Sequence, residues 1–434
     1  MSAGYAITTY KIQLNYKHLD WFKHTQSLFD DVLAFYYELL KKQPEALELS
    51  NQNLLRHLEL QTIKQRDGSV PETPLPFEKI PLYFRRAAIN ASISMYRSYV
   101  SKFKGWQEGK IKSGKPSPPK RLHMSMLYYK GMYKNFDEKS ILLKLYTGKA
   151  WAWVKHRYTG RPFPRNAEIM SPTIVTKKKK VMLHVPIKEI VEDSRTAKER
   201  VQQNEKFVAV ALTGSDSLAV CTTIEADGRA TAPYFIKGGK ELAHRRKLLL
   251  GYTKRGKSNQ NIPLKEVEDK VGKENAKYYE KITRVTDHYA HKVSKEIVDY
   301  ALKQGAKLIV LPEHKESFDL AKKPYLGKSP YDFIGRRIAR YVQYKAWQKG
   351  LVAMTSKPYY VSTRCYHCGT PIAKHNTEYQ NPSSNFYGGK NFVCKEGHRG
   401  STALNSARNL GKGFYEQFYL RGPNKKEQES KFII

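Results

Sequence analysis

Three cysteines and a histidine near the C-terminal end have the types and spacing of a metal site. Cys365 and Cys368 are separated by two residues, and Cys394 and His398 by three. They offer thiolate sulfur and imidazole nitrogen on two turns, and zinc takes four such ligands in a tetrahedron. With every position filled by protein, the site would be structural rather than catalytic. His398 is the first candidate for the fourth ligand, because an imidazole reaches further than a thiolate. His367, inside the first pair, and His375 are the others. A decayed, metal-free finger is the plain alternative. Cys221 stands alone in an apolar strand pattern and reads as core. Such sparing cysteine usage fits a reducing cytoplasm.

The second chemistry is electrostatic. The chain of 434 residues carries 77 Lys plus Arg against 40 Asp plus Glu, a formal net charge of +37. Basicity on that scale implies a polyanionic partner, most often nucleic acid. The 30 tyrosines suit base stacking and phosphate contacts. A membrane surface is the competing partner, but no run of apolar residues is long enough to span one. The N-terminal residues lack the basic and apolar regions of a signal peptide.

The elements that must position these residues follow from pattern. Residues 7–15 alternate as a strand, and 19–67 read as two helices. A basic aromatic helix from about Tyr83 to Trp106 carries Arg85, Arg86, Arg97, Lys102 and Lys104. A Gly/Pro/Lys linker over 109–121 marks a boundary. Short strands follow at 123–129, 142–146, 151–156, 174–176 and 181–186, as in a small barrel or sheet. Lys177, Lys178, Lys179 and Lys180 sit at a turn between two of them. The charged stretch 193–205 reads as a connection to the next domain.

Beyond it, strands at 207–212, 218–224 and 232–236 suggest a second sheet, with Thr213 to Asp216 as a hairpin turn. Helices follow, with Arg245 and Arg246, and a loop over 252–257 carrying Lys254, Arg255 and Lys257. A helix over 277–304 stops at Gly305, and a buried-type strand, 308–312, ends at Glu313. A helix from about Tyr331 to Gly350 presents Arg336, Arg337, Arg340 and Lys345; a strand over 353–360 and Arg364 lead into the cysteine pair. Each basic group is a candidate nucleic-acid contact. The plain alternative is a solvated face or hairpin tip.

The order Cys365-Tyr366-His367-Cys368-Gly369, Cys394 to His398, then Leu404-Asn405-Ser406-Ala407-Arg408-Asn409-Leu410 resembles the end of a RuvC-type nuclease domain of the TnpB and miniature type V CRISPR effector family. The resemblance is specific over 307–412, moderate over 206–306 and organisational over 1–205. It implies an α/β multidomain chain: an N-terminal β-barrel wedge (1–18 and 122–205) with a helical recognition insert (19–121). An RNase H-like (RuvC) domain follows (206–356 and 401–434), interrupted by a zinc finger (357–400). In the family the finger has a second Cys-x2-Cys; here Gly397 stands where the fourth cysteine would fall, beside His398.

The resemblance also implies three metal-binding acids, on the first strand, after the fourth, and at the start of the last helix. Those points are Ala211, Glu313 and Ala403. Two-metal phosphodiester cleavage needs carboxylates that hold both ions. With one acid left, no catalytic magnesium is expected. Asp216 lies five residues past Ala211, across a turn, and no acid lies between Arg399 and Phe414. The family implies a guide RNA and a double-stranded DNA target as partners, with base pairing supplying sequence. The expected function is RNA-guided DNA binding without cutting, in the cytoplasm on the nucleoid. It would regulate transcription by occupying DNA or by recruiting RNA polymerase or a sigma factor. Alternatives are a targeting subunit working with transposition proteins, a nuclease with a rearranged site, or a non-guided nucleic-acid binder.

Overall fold

The computed structural model describes residues 4–64, 68–111, 114–137, 139–164, 168–177, 179–213, 216–258, 264–313, 330–357, 360–374 and 390–420, the side chains of 253–275 and 330–333 excepted. The chain forms two compact units, Ile7–Glu189 and Met1–Ala6 with Ile190–Ile434. No helix among the described residues is long and apolar enough to cross a membrane.

In the first unit, strand β1 (Tyr5–Leu14) leads into helix α1 (Leu19–Lys42), a 3-10 turn (Pro44–Glu48), α2 (Asn51–Thr62) and α3 (Leu82–Gln107). Two helices are expected over 19–67; the break falls where Pro44 opens the 3-10 turn and the Ser50 hydroxyl caps α2 by accepting from Asn53 N at 3.3 Å. Strands β2 (Met126–Leu127), β3 (Tyr133–Lys134), β4 (Ser140–Tyr146), β5 (Trp151–Thr159), β6 (Glu168–Ile169), β7 (Thr173–Lys177) and β8 (Lys180–Ile190) complete it. The sheet order is β2-β7-β8-β1-β5-β4-β3, with β6 on β8. Its ends do not pair among the described residues, so the expected barrel is a half-barrel. Its inner face is the period-two set Ile141, Leu143, Leu145, Val181, Leu183, Val185 and Ile187, packed with Phe22, Phe29, Val32 and Leu33 of α1 and Ala87, Ala88 and Ile89 of α3. The expected strand 123–129 shortens to β2.

The second unit holds α4 (Ala197–Gln202), β9 (Phe207–Leu212), β10 (Ser217–Ile224), β11 (Ala230–Lys237), α5 (Gly239–Ser258), α6 (Leu264–Lys303), β12 (Leu308–Pro312), α7 (Pro330–Gln348) and β13 (Val352–Ser356). After these come β14 (Ile372–Ala373), β15 (Asn391–Cys394), β16 (Arg399–Ser401) and α8 (Thr402–Tyr415), which continues as a π turn, Glu416–Leu420. The order β11-β10-β9-β12-β13, with β9 to β11 antiparallel and β12 and β13 parallel to β9, is RNase H-like. β9 and β10 are buried along their whole length, because both faces of the sheet are covered. Val208, Val210 and Leu212 pack with α6 and α7; Phe207 and Ala209 pack with α8. Gly411 makes the α8 approach possible, since a Cβ there would meet Ile224 Cδ1 at 2.6 Å and Ala209 Cβ at 3.0 Å.

Three expectations are revised. The stretch 252–257 is the last part of α5, not a loop. The strand expected over 353–360 ends at Ser356. The stretch 193–205 packs into the second unit instead of bridging to it. Thr196 and Glu199 close a capping box on α4. The fully buried Arg200 donates to the carbonyls of Asp193, Arg195, Lys307 and Gly350 at 3.0–3.1 Å. Burial draws its pKa down, against the pull of Asp193. Arg200 thus ties α4 to the residues that precede β12 and β13, and the division between units falls near 190 rather than 205.

Candidate functional site

The ligand atoms of Cys365, Cys368, Cys394 and His398 all lie within 4.8 Å of one another. Cys368 Sγ is 3.6 Å from Cys394 Sγ, which is 3.4 Å from His398 Nδ1. Zinc–sulfur and zinc–nitrogen bonds at a tetrahedral angle require separations of about 3.8 and 3.6 Å. A disulfide would need sulfurs about 2 Å apart, and all four cysteines are free. The geometry and donor set fit a zinc ion. His398 is the fourth member, and His367 stacks on its ring at 5.1 Å; His375 lies outside the described residues. Burial opposes the Cys368 thiolate, but bonds from the Thr370 hydroxyl and amide and from His398 and Cys394 outweigh it and bring the pKa to about 6. The Cys394 sulfur accepts from His398 N at 3.3 Å. Gly397 has φ +78° and its amide bonds Cys394 O. That left-handed turn delivers residue 398, not 397, to the cluster.

The motif Leu404-Asn405-Ser406-Ala407-Arg408-Asn409 docks this finger on α8. Asn405, 3% exposed, accepts from Tyr366 N at 2.8 Å and donates to Arg364 O at 2.7 Å. Asn409 donates to Val361 O at 3.1 Å and Arg364 O at 2.7 Å. Asn405→Ala would leave the Tyr366 amide unpartnered, an expected cost of about 1–3 kcal/mol. Hydrogen exchange should show the Tyr366 amide losing protection in Asn405→Ala and keeping it in Asn405→Asp, which retains the acceptor. Equal protection in both would assign the docking to other contacts.

The register of β9 with β12 and the direction of α8 bear on where Ala211, Glu313 and Ala403 stand in the second unit. Val310 of β12 is opposite Ala209 of β9. Continuing that register sets Pro312 level with Ala211, so Glu313 closes β12 where β9 ends. Its amide donates to Ser356 O at 2.8 Å. α8 runs antiparallel to β9: Phe414 meets Phe207, the start of β9, at 5.1 Å between rings, and Gly411 lies over Ala209. From Phe414 back to Ala403 the helix spans about 16 Å, and from Phe207 to Ala211 the strand spans about 13 Å. Ala403 therefore lies towards the same end of β9 as Ala211, and alternation along β9 turns Ala211 towards α8. No acid stands in the first turn of α8. Asp216, on the β9–β10 turn, is 3.4 Å from Lys240. Among the described residues, the cysteine–histidine group is the one place where three or more metal-ligating side chains gather.

The basic residues divide into two sets. Arg86 donates to both carboxylate oxygens of Glu59, to Oε1 at 3.1 Å and to Oε2 at 2.9 Å, and Arg85 donates to the same group at 3.2 Å. Arg97 bonds Asn51 and the carbonyls of Leu47 and Leu49. Arg337 donates to Asp287 at 2.6 Å. The half-buried Arg246 has its pKa lowered by burial and then by Arg337. Lys345 donates to His291 O and Ser294 Oγ, and burial lowers its pKa to about 8. Arg245 pairs with Glu241 at 2.7 Å but is itself exposed. In the other set, Lys102, Lys104, Lys177, Lys179, Lys180, Arg336, Arg340 and Arg364 are exposed. Arg340 lies over Tyr341 at 5.8 Å and Arg364 over Tyr360 at 5.1 Å. Lys178 and the side chains of Lys254, Arg255 and Lys257 lie outside the described residues.

Sequence reasoning missed a basic aromatic cluster on the half-barrel. Trp153 has Lys134 Nζ at 4.6 Å and Lys144 Nζ at 5.8 Å from its ring. The alternation in β4 and β5 places Lys144 opposite Trp153 and would have revealed that pair; Lys134 comes from β3, which no pattern marked.

Residues 336–410 match the family model described as Cas12f1-like, TNB domain, and residues 6–147 match the model of the Aq_aa04 family. No curated protein matches the sequence. Among solved structures, the chain is similar to Cas12f1 in a complex with sgRNA and target DNA. The identity is 14%, the TM-score 0.56, and the match covers 91% of this chain and 83% of that one. It is also similar to the mini-RNA-guided endonuclease CRISPR-Cas phi3, at 10% identity and TM-score 0.52, over 95% and 93% of the two chains. At these identities the likeness is one of fold. The expected resemblance thus stands as a likeness of fold over most of the chain and as a match to one domain model over 336–410.

Proposed function

We propose that this chain is an RNA-guided DNA-binding protein that occupies a matched duplex without cutting it. The observation that carries this reading is the sequence at the three positions where the family's acids are expected, Ala211, Glu313 and Ala403, and the strand register and helix direction support their lying towards one end of the central strands. Two alanines offer no ligand there, and a lone carboxylate holds magnesium weakly because the ion keeps most of its water. In-line phosphodiester displacement needs metals clamping both the attacking and the leaving oxygen. The similar proteins are effectors of RNA-guided type, one of them solved with guide RNA and target DNA. A charge of +37 suits holding both polyanions. In this reading the cysteine–histidine group binds a structural zinc, Lys102, Lys104, Arg336 and Arg340 contact phosphates, and the bound complex regulates transcription by standing in the way of polymerase.

The test starts from the RNA that copurifies with the protein, sequenced and used as guide. The wild-type complex is expected to bind matched DNA and leave it intact in magnesium and in manganese. Glu313→Ala should bind equally well. Ala211→Asp with Ala403→Asp rebuilds the three acids and should produce weak cleavage that Glu313→Ala abolishes. Guide-dependent cleavage by the wild type, lost in Glu313→Ala, would overturn the proposal.

A further inference from the structure

The C-terminal half of α3 and the segment 114–124 enclose a groove of about 450 Å³ that no function above uses. Its helix wall repeats at one-turn spacing: Ser94, Ser98 and Lys102 on one line, Met95 and Tyr99 beside it. The opposite wall is Pro116, Ser117, Pro119 and Met124, a proline-stiffened strip that holds the groove open. The apolar surface comes from Met95, Tyr99 and Met124, and hydroxyls and one ammonium rim it. No acidic residue among the described ones lines it. Tyr99 continues into a row of rings, Phe103 at 6.0 Å and Trp106 a further 5.8 Å, over which Lys115 Nζ sits at 5.8 and 5.9 Å.

A largely apolar groove rimmed by hydroxyls has the chemistry to take an unstacked base, and it lies within the size range of small-ligand pockets. Lys102 on the helix wall, and Lys115 over the adjoining Phe103 and Trp106 rings, have the charge to hold the phosphates on either side of that base. The adjoining row of rings supplies stacking for neighbouring bases. A purely structural groove between a helix and a loop would have no reason to combine one sign of charge with an aromatic row. We infer that this groove seats an unpaired nucleotide of a single strand, its base against Met95, Tyr99 and Met124 and its phosphates towards Lys102 and Lys115. The inference deepens the nucleic-acid reading above and rests on it.

Ser98 and Ser101 are both exposed on α3, but only Ser98 lines the groove. Ser98→Trp fills the slot without altering charge, and Ser101→Trp adds the same side chain outside it. Binding of fluorescein-labelled oligouridine and oligothymidine to the full chain would be read by anisotropy at low salt, with thermal melts confirming that both variants fold. Losing one base seat should weaken binding by about 5- to 150-fold in Ser98→Trp, while Ser101→Trp matches the wild type. Ser94→Trp, one turn earlier on the same wall, should repeat the loss. The more strongly affected oligonucleotide identifies RNA or DNA as the strand seated. Wild-type affinity in Ser98→Trp and Ser94→Trp, or an equal loss in Ser101→Trp, would overturn the groove and leave the broader reading intact. A wild type that binds neither oligonucleotide would overturn both.

Discussion

Raising salt from about 50 to about 200 mM should cut the affinity for nucleic acid by roughly 10³- to 10⁵-fold, the loss that accompanies some 6–10 phosphate contacts. The excess of 77 basic over 40 acidic residues is too large to be consumed internally. Each neutralised phosphate releases a condensed counterion, so the logarithm of the affinity falls by about 0.9 per contact for each unit of log salt on duplex DNA. The fold divides the basic residues by their expected contribution. Lys102→Glu and Arg340→Glu should each remove about one contact from the slope, because these side chains are exposed. Arg86→Glu should act mainly on stability, because Arg86 is held bidentate by Glu59 and reversal sets two carboxylates together. Affinity that is flat across the salt range would remove the electrostatic basis of the proposed function.

Stripping the metal should unfold the finger while the central sheet persists. Protein prepared without chelator is expected to contain about one zinc per chain. Structural zinc contributes on the order of 10 kcal/mol to the folding of small metal domains, and this finger has little else. Its core cluster is Cys365, Ile372, Phe392 and Cys394, with Cys368 packed against it, and its sheet is three short strands. Cys394→Ser or chelation should therefore erase hydrogen-exchange protection in 363–372 and 391–401. Protection in β9, β10 and β12 should remain, since those strands are covered on both faces by α8 and by α6 with α7. A protein free of zinc, with the finger still protected, would mean that the three thiols and the imidazole gather for another reason.

The grouping of Cys365, Cys368 and Cys394 with His398, and the alanines at 211 and 403, were legible without a structure. Ligand spacing is a local property: Cys-x2-Cys and Cys-x3-His turns fix their donor atoms within a few residues, so His398 could be picked from its reach. The alternation of β4 and β8 and the unbroken apolar runs of β9 and β12 are likewise set by which faces each strand must bury. The order of elements around the cysteines carried the resemblance, and it pointed to Ala211, Glu313 and Ala403 one by one.

What the tertiary structure alone decided is everything that depends on a distant partner. Arg85, Arg86, Arg97 and Arg337 read as surface charge in a helical pattern. The chain brings Glu59, Asn51 and Asp287 to them across separations that no local period encodes. Arg200 looked like part of a charged linker; buried against four carbonyls, it moves the division between the two units. Whether the sheet closes depends on the pairing of β2 and β3, which lie at its two ends. That Ala211, Glu313 and Ala403 lie towards one end of the central strands follows from the parallel register of β9 with β12 and from an α8 made antiparallel to β9 by Phe414 and Gly411. Backbone periodicity determines what a residue faces within its own element; long-range packing determines what that face then meets.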